Sequence, residues 1–391
     1  MTLATLNANL DYLRPEPHCA SHGVIDPAEL GAWLRLLETP KLGRESARKL
    51  LATFGSPQAA IDASTSARRQ VISAAPAAAL GVPSPELDAL IAATLAWLSA
   101  DVPEARCVFT LGDPLYPPLL LNSADPPLLL YAQGRIELLR ADAIAVVGSR
   151  NPTPQGTDNA RAFSEHLSNA GLTVVSGLAL GIDSAAHEGA LEGLASTIAV
   201  VGTGLDRVYP RRNLALAHRI AKQGLILSEF PLGSPPLPQH FPMRNRIIAG
   251  LAHGTLVVEA ALQSGSLSTA RLTVESSREV FAIPGSIHSP NSRGCHALIK
   301  QGAKLVESAQ DILEEIRPPG VALRPVGERP VSTVTSDTVL SALGFDPVAL
   351  DSLVARTGWS ASALNIRLLE LELDGQVARL PGQLFQRIAY G

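Results

Sequence analysis

The chain has 391 residues, 46% of them hydrophobic and 17% charged, with a net charge of -4 at pH 7. That length allows two or three domains with a substantial core, and the composition is that of a folded chain rather than a disordered one. No apolar run reaches the roughly 18–20 residues of a membrane span, and the opening MTLATLNANLDYLRPEPH lacks the basic-then-apolar order of an export signal, so a cytoplasmic location is expected.

Residues 1–23 show no periodicity and are expected as an irregular tail, in which His18, Cys19 and His22 fall close together. The three cysteines (Cys19, Cys107, Cys295) are far apart, without CxxC spacing. They are expected as free thiols, with no metal site and no cofactor. Residues 24–100 read as a small helical domain that starts at Asp26-Pro27, with proline at the first helical position. Thr39-Pro40-Lys41-Leu42-Gly43 interrupts this pattern with a tight turn. Helix, short turn and helix outline a helix-hairpin-helix, which contacts nucleic-acid backbone through turn amides. Lys41 stands where the first hairpin glycine is expected, which favours a small helical interaction domain instead. Residues 101–140 form a proline-rich connector expected to pack on the next domain.

From 141 to 316 strand and helix patterns alternate. Apolar runs at Ala143–Val147, 172–175, 197–201, 225–229, 255–258, 279–283 and 304–306 are separated by helical stretches near 154–170, 183–193, 213–222, 244–252, 265–277 and 294–301. Continuous apolar strands between helices predict an α/β fold with a parallel sheet covered on both faces. Residues 317–333 read as a linker. The stretch 334–391 gives three helical patterns and two short strands around Pro381-Gly382, the outline of a winged helix.

In such sheets ligands bind beyond the carboxyl ends of the strands. Gly148-Ser149-Arg150, Ser176-Gly177, Gly202-Thr203-Gly204 and Ser264-Gly265-Ser266 all fall there. Glycines admit a phosphate to the backbone, and hydroxyls and helix-end amides donate to it. An anion site is therefore expected. The first turn, GSRNPTPQG, is not GxGxxG, and no Walker A motif is present. Between Arg207 and Lys304 twelve Lys and Arg face four carboxylates, an excess of eight in an otherwise acidic chain, which indicates a polyanion groove. Phe241, followed by Arg244-Asn245-Arg246 in a proline-rich loop, suits unpaired bases: the ring stacks while guanidiniums hold phosphates.

The stretches VVGSR (146–150), SGLALGIDSAAHEGAL (176–191), TIAVVGTGLDRVYPRRN (197–213), SEFPLGSPP (228–236), FPMRNRIIAGLA (241–252), VVEAALQSGSLSTAR (257–271), REVFAIPG (278–285) and GCHALIKQGAKLV (294–306) resemble the DprA/Smf DNA-processing family in order and spacing. The resemblance covers about 100–316. It implies a Rossmann-like domain that binds single-stranded DNA, protects incoming strands and loads the RecA recombinase in natural transformation, as a homodimer through that domain. It carries the family's DNA-binding positions over to Gly148, Ser149, Arg150, Arg211, Asn213, Phe241, Arg244, Asn245, Arg246, Ser264, Gly265, Ser266 and Lys300. Two positions depart from the family's pattern: Ser268, where many members carry isoleucine, and Cys295-His296, where an asparagine often stands.

No enzyme is expected. Asp183 and His187, four apart on a helix, are read as a helix cap and a locally paired histidine rather than an acid/base pair. Glu259, at a strand end, is the best catalytic carboxylate. The alternative is a Rossmann-like nucleotide-binding phosphoribohydrolase, whose family carries a PGGxGTxxE loop. Here QSGSLSTAR lacks the double glycine and the glutamate. The third helical pattern of the winged helix has Arg367 against Glu370, Glu372 and Asp374, so this module is expected to contact protein and not to read a groove.

Overall fold

The computed structural model describes residues 25–316 and 337–388, apart from 346. The expected tail and linker lie outside the described residues.

Helix α1 (Pro27–Glu38) starts as its sequence requires: Asp26 Oδ2 accepts from the amides of Ala28 and Glu29, at 3.0 and 3.1 Å. Helices α2 (Arg44–Phe54), α3 (Pro57–Asp62), α4 (Thr65–Arg69), α5 (Ala74–Ala79) and α6 (Leu87–Leu98) follow. In the α1–α2 turn Lys41 adopts φ 64°, a left-handed conformation that glycine takes at no cost. Leu30, Trp33, Leu34, Leu50, Leu80 and Trp97 form a core that continues into Leu128, Leu129 and Tyr131. The helical segment is thus packed onto the edge of the sheet that follows it.

That sheet has nine strands in the order β1-β2-β6-β5-β4-β3-β7-β8-β9. The segment expected as a connector supplies β1 (Arg106–Thr110), α7 (Pro118–Leu121) and β2 (Leu129–Gly134), and β2 runs antiparallel to both β1 and β6. The remaining strands are parallel: β3 (Ala143–Val147), β4 (Thr173–Ser176), β5 (Thr197–Val200), β6 (Leu225–Ser228), β7 (Gly254–Val257), β8 (Glu279–Ala282) and β9 (Lys304–Leu305). The crossovers are α8 (Pro154–Asn169), α9 (Ile182–Glu192), α10 (Leu214–Gln223), α11 (His240–Leu251), α12 (Ser266–Glu275) and α13 (Arg293–Lys300), and α14 (Ala309–Ile316) follows β9. Successive residues of β3 serve opposite faces. Ile144 and Val146 join Ala160, Leu167, Ala185 and Ile312 on one side. Ala145 and Val147 join Ile247, Ile248 and Leu251 on the other. β3 lies between β4 and β7, so the chain order reverses there and opens a crevice beyond its carboxyl end.

The last segment holds α15 (Thr338–Leu343), β10 (Val348–Ala349), α16 (Leu350–Thr357), α17 (Ala361–Leu373), β11 (Val377–Leu380) and β12 (Leu384–Arg387), with its own core of Val339, Leu340, Leu353, Leu364, Leu368 and Phe385. Its strands pair in the order β10-β12-β11. Cys295 is a buried free thiol that burial pushes up to about 12, whereas Cys107 is disulfide-bonded, which corrects the expectation of three free thiols. No helix among the described residues is long and apolar enough to cross a membrane, and no metal-binding cluster occurs among them.

Candidate nucleic-acid interface

A cleft of about 650 Å³ opens at the switch point. One wall is the β3–α8 turn, Gly148-Ser149-Arg150. The facing wall is the loop Ala261–Ser266 that opens α12, and the remaining side is α11 with Tyr209 and Pro236. Glycine is required in the first turn, because a Cβ on Gly148 would approach Ile182 Cγ1 to 2.6 Å. Beside Gly265 an added Cβ would meet nothing within 4 Å, so the opposite wall presents bare backbone to the cleft. Ser264 and Ser266 share a hydroxyl hydrogen bond of 2.7 Å. Asn245 Nδ2 donates to Ser268 Oγ at 3.0 Å and ties α11 to this wall.

The other two glycine loops do not line the cleft. Ser176 Oγ donates to Val146 O, and Ser228 Oγ to Thr203 O, so these loops brace strand ends against one another. Gly177 makes room for a cation: a Cβ there would overlap the Arg244 guanidinium.

Phe241 does not lie in a loop. It occupies the first turn of α11, which begins at His240, four residues before the expected start. The last proline of the run, Pro242, falls within that first turn, where its missing N–H costs no helical hydrogen bond. Phe241 lines the cleft, with the Arg150 guanidinium 5.8 Å from its ring centroid and the Tyr209 ring 5.5 Å away at 38°. Tyr209, within the stretch TIAVVGTGLDRVYPRRN, also lines the cleft, although it is not among the positions carried over by the family resemblance.

The three neighbours Arg244, Asn245 and Arg246 part company. Arg244 is 4% exposed, forms the cleft floor and donates from Nη1 to Val200 O at 3.1 Å. Burial lowers its pKa, and Asp183 opposes the shift. Asp183 accepts from the amides of Gly177 and Ala179. Its pKa is raised by burial, against the pull of Arg244. It is not the cap of α9, where Gly181 stands at the N-cap; it holds the loop before the helix. His187 is also buried. Thr197 Oγ1 donates to Val174 O and therefore accepts from His187 Nδ1, while Nε2 accepts from Leu178 N. Burial drives this histidine's pKa down to about 3, so it is a neutral structural group.

Arg246 points away from the cleft. Its side chain is 11% exposed, with Nη2 at 2.5 Å from Glu229 and Nε at 3.0 Å from Asp125. Arg44 and Arg48 of α2 reach the same Asp125 at 2.7 and 2.6 Å. Two arginines of the hairpin-like segment are thus engaged by carboxylates of the sheet domain. Asn213 is buried as well, its Nδ2 donating to Leu178 O and Ser184 Oγ at 2.9 Å. Arg211 is exposed two residues beyond Tyr209, and Lys300 ends α13; neither lines the cleft.

Glu259 is occupied. Its carboxylate accepts from Thr153 N (3.0 Å) and Thr153 Oγ1 (2.6 Å) and lies close to Gly156. Burial raises its pKa. It pins the start of α8 and does not line the cleft.

The sequence model described as DNA recombination-mediator protein A matches residues 107–317, and that of the DprA winged helix domain matches 327–383. Protein Smf of Escherichia coli K12 is 44% identical over 278 residues, 68% of this chain and 74% of that protein. The DNA processing protein DprA of Streptococcus pneumoniae R6 is 50% identical over 207 residues, 53% of this chain and 73% of that protein. The X-ray structure of DprA from Streptococcus pneumoniae superposes with a TM-score of 0.60 at 38% identity, covering 75% of this chain and 99% of that one. A Helicobacter pylori DNA processing protein A, described for its single-stranded DNA binding mode, gives 0.50 at 30% identity, covering 55% and 96%. The chain belongs to the DNA recombination-mediator protein A (DprA/Smf) family.

Proposed function

We propose that this protein binds single-stranded DNA in the cleft, protects the incoming strand and hands it to the RecA recombinase during natural transformation and recombination, acting as a homodimer through its sheet domain. The observation that carries the binding step is the pairing of two kinds of wall. A glycine-hydroxyl-arginine turn and a bare-backbone loop suit phosphates, and a Phe241–Tyr209 ring pair between them suits an unpaired base. A duplex keeps its bases stacked inside and cannot use the rings. The relative from Helicobacter pylori, described as binding single-stranded DNA, supports the same reading.

The family is one of DNA-processing proteins, and the carboxylate best suited to catalysis, Glu259, is held by Thr153 outside the cleft. In the winged helix, Arg367 is engaged by Asp337 and Glu370, which leaves α17 little positive charge to offer a groove. This supports a protein-contacting role for the module. Removing residues 334–391 is expected to leave single-strand affinity unchanged; loss of binding on removal would assign DNA contact to the winged helix.

The direct test is titration of labelled poly-dT and the matching duplex over a salt series. Strong preference for the single strand, with log affinity falling by about 0.7 per phosphate contact per decade of salt, is the expected result. Equal weak binding to both would overturn the reading.

A further inference from the structure

We propose that Tyr209 is the exposed platform on which a base stacks in this cleft, with Phe241 as its backing ring. The inference rests on the single-strand reading above. Phe241 is boxed in: an added Cβ on Gly202 would lie 3.2 Å from its Cδ1, and Arg150 and Tyr209 cover it from other sides. A base that stacks on the ring face beneath the Arg150 guanidinium competes with that guanidinium. Tyr209 lines the same cleft yet is 49% exposed. A base on its open face leaves Arg150 in place for the adjoining phosphate.

The backbone that presents Tyr209 is fixed on both sides. Val208 packs against the cluster of Leu216, Ala217 and Ile220. Asn213 ties the turn after Tyr209 to the Leu178–Ser184 segment through its three Nδ2 hydrogen bonds. A ring held this way loses little conformational freedom on binding. Arg211 and Arg212 follow it, exposed and without an ion pair among the described residues, placed for the neighbouring phosphates.

The test compares a dT oligonucleotide with an oligonucleotide of the same length made of abasic deoxyribose phosphates, using the full chain. Stacking acts only on the first, and phosphate contacts act on both. Tyr209→Ala is expected to lower affinity for dT about tenfold, with abasic affinity and both salt slopes unchanged, and Tyr209→Phe is expected to restore dT binding. Circular dichroism checks that each variant folds. A Tyr209→Ala variant that keeps the wild-type ratio of dT to abasic affinity, while Phe241→Ala abolishes it, would overturn the assignment and leave Phe241 as the platform. An equal loss on both probes would overturn it too, by making Tyr209 a support for the arginines. If the unmodified protein does not distinguish dT from the abasic strand, the base-stacking reading of the whole cleft fails, which is a different result from failure at Tyr209 alone.

Discussion

Arg150→Ala is expected to weaken binding of a dT oligonucleotide by about tenfold and to reduce the salt slope by about 0.7, the signature of one lost single-strand phosphate contact. Arg150 lies at the cleft mouth, exposed, with no ion pair among the described residues. Its charge is not neutralised in advance, so binding a phosphate there costs no existing bridge. Its removal should leave the fold intact. Arg246→Ala is expected to behave in the opposite way. Its guanidinium sits between Glu229 and Asp125, and removing one partner of a buried charge cluster costs about 3 kcal/mol. Denaturant melts should record that loss, while the salt slope of the folded variant stays as in the unmodified protein. Two arginines of similar appearance in the sequence thus separate by readout. An Arg246→Ala protein of normal stability with a flattened slope would return Arg246 to the DNA surface.

That separation shows where the sequence is informative. The glycine-serine turns at 148–150 and 264–266 were legible because small and hydroxyl residues beyond an apolar strand suit an anion site, although the same signal also marks 176–177 and 202–204, which brace strand ends instead. The seven parallel strands were legible because each is built around a short apolar run flanked by a helical period. The strands Arg106–Thr110 and Leu129–Gly134 were not. The first pairs only with the second, and the second joins the sheet through Leu225–Ser228, far along the chain, while the prolines around them dominate any local reading. The Arg244-Asn245-Arg246 run reads as one basic patch when it is taken as part of a proline-rich loop. On a helix, residues two apart face different ways, and α11 carries both arginines, so they part. The basic excess was also less available than its count implied. Arg219 pairs with Glu192, Arg271 with Glu275 and Lys304 with Glu315. Arg278 is spent on the carbonyls of Leu119, Ala249, Gly250 and Ala252. Charge counted along a chain does not distinguish a cation that clamps backbone from one that faces a ligand. Tyr209 is the complementary case: nothing local marks it, because its importance arises from the ring of Phe241, brought beside it by the fold.

Arg244→Ala is expected to be the most destabilising of the cleft substitutions and to show a pH dependence that identifies its cause. The guanidinium fills the space left by Gly177 and donates to Val200 O. It is also the cation that holds down the pKa of buried Asp183. Its removal leaves a cavity, an unanswered carbonyl and a buried carboxylate without its counter-charge. A loss of about 3 kcal/mol is expected, at the low end for removing one member of a buried charge pair, because no direct ion pair joins the two among the described residues. Asp183 already has a folded-state pKa above its unfolded value. The folded protein therefore binds its proton more tightly than the unfolded chain, and the contribution of Asp183 to stability declines as pH rises through the folded pKa. Without Arg244 that pKa moves further up. The deficit of Arg244→Ala should accordingly shrink as pH falls and the carboxyl becomes neutral, and it should grow toward neutral pH. Asp183→Asn in the Arg244→Ala background should recover part of the loss at pH 7 and flatten the pH dependence, since an amide has no charge to strand. Thermal or urea melts of the single and double variants across acid to neutral pH decide the matter. A pH-independent deficit that Asp183→Asn leaves unrelieved would mean that Arg244 serves the floor of the cleft by filling space and not by charge.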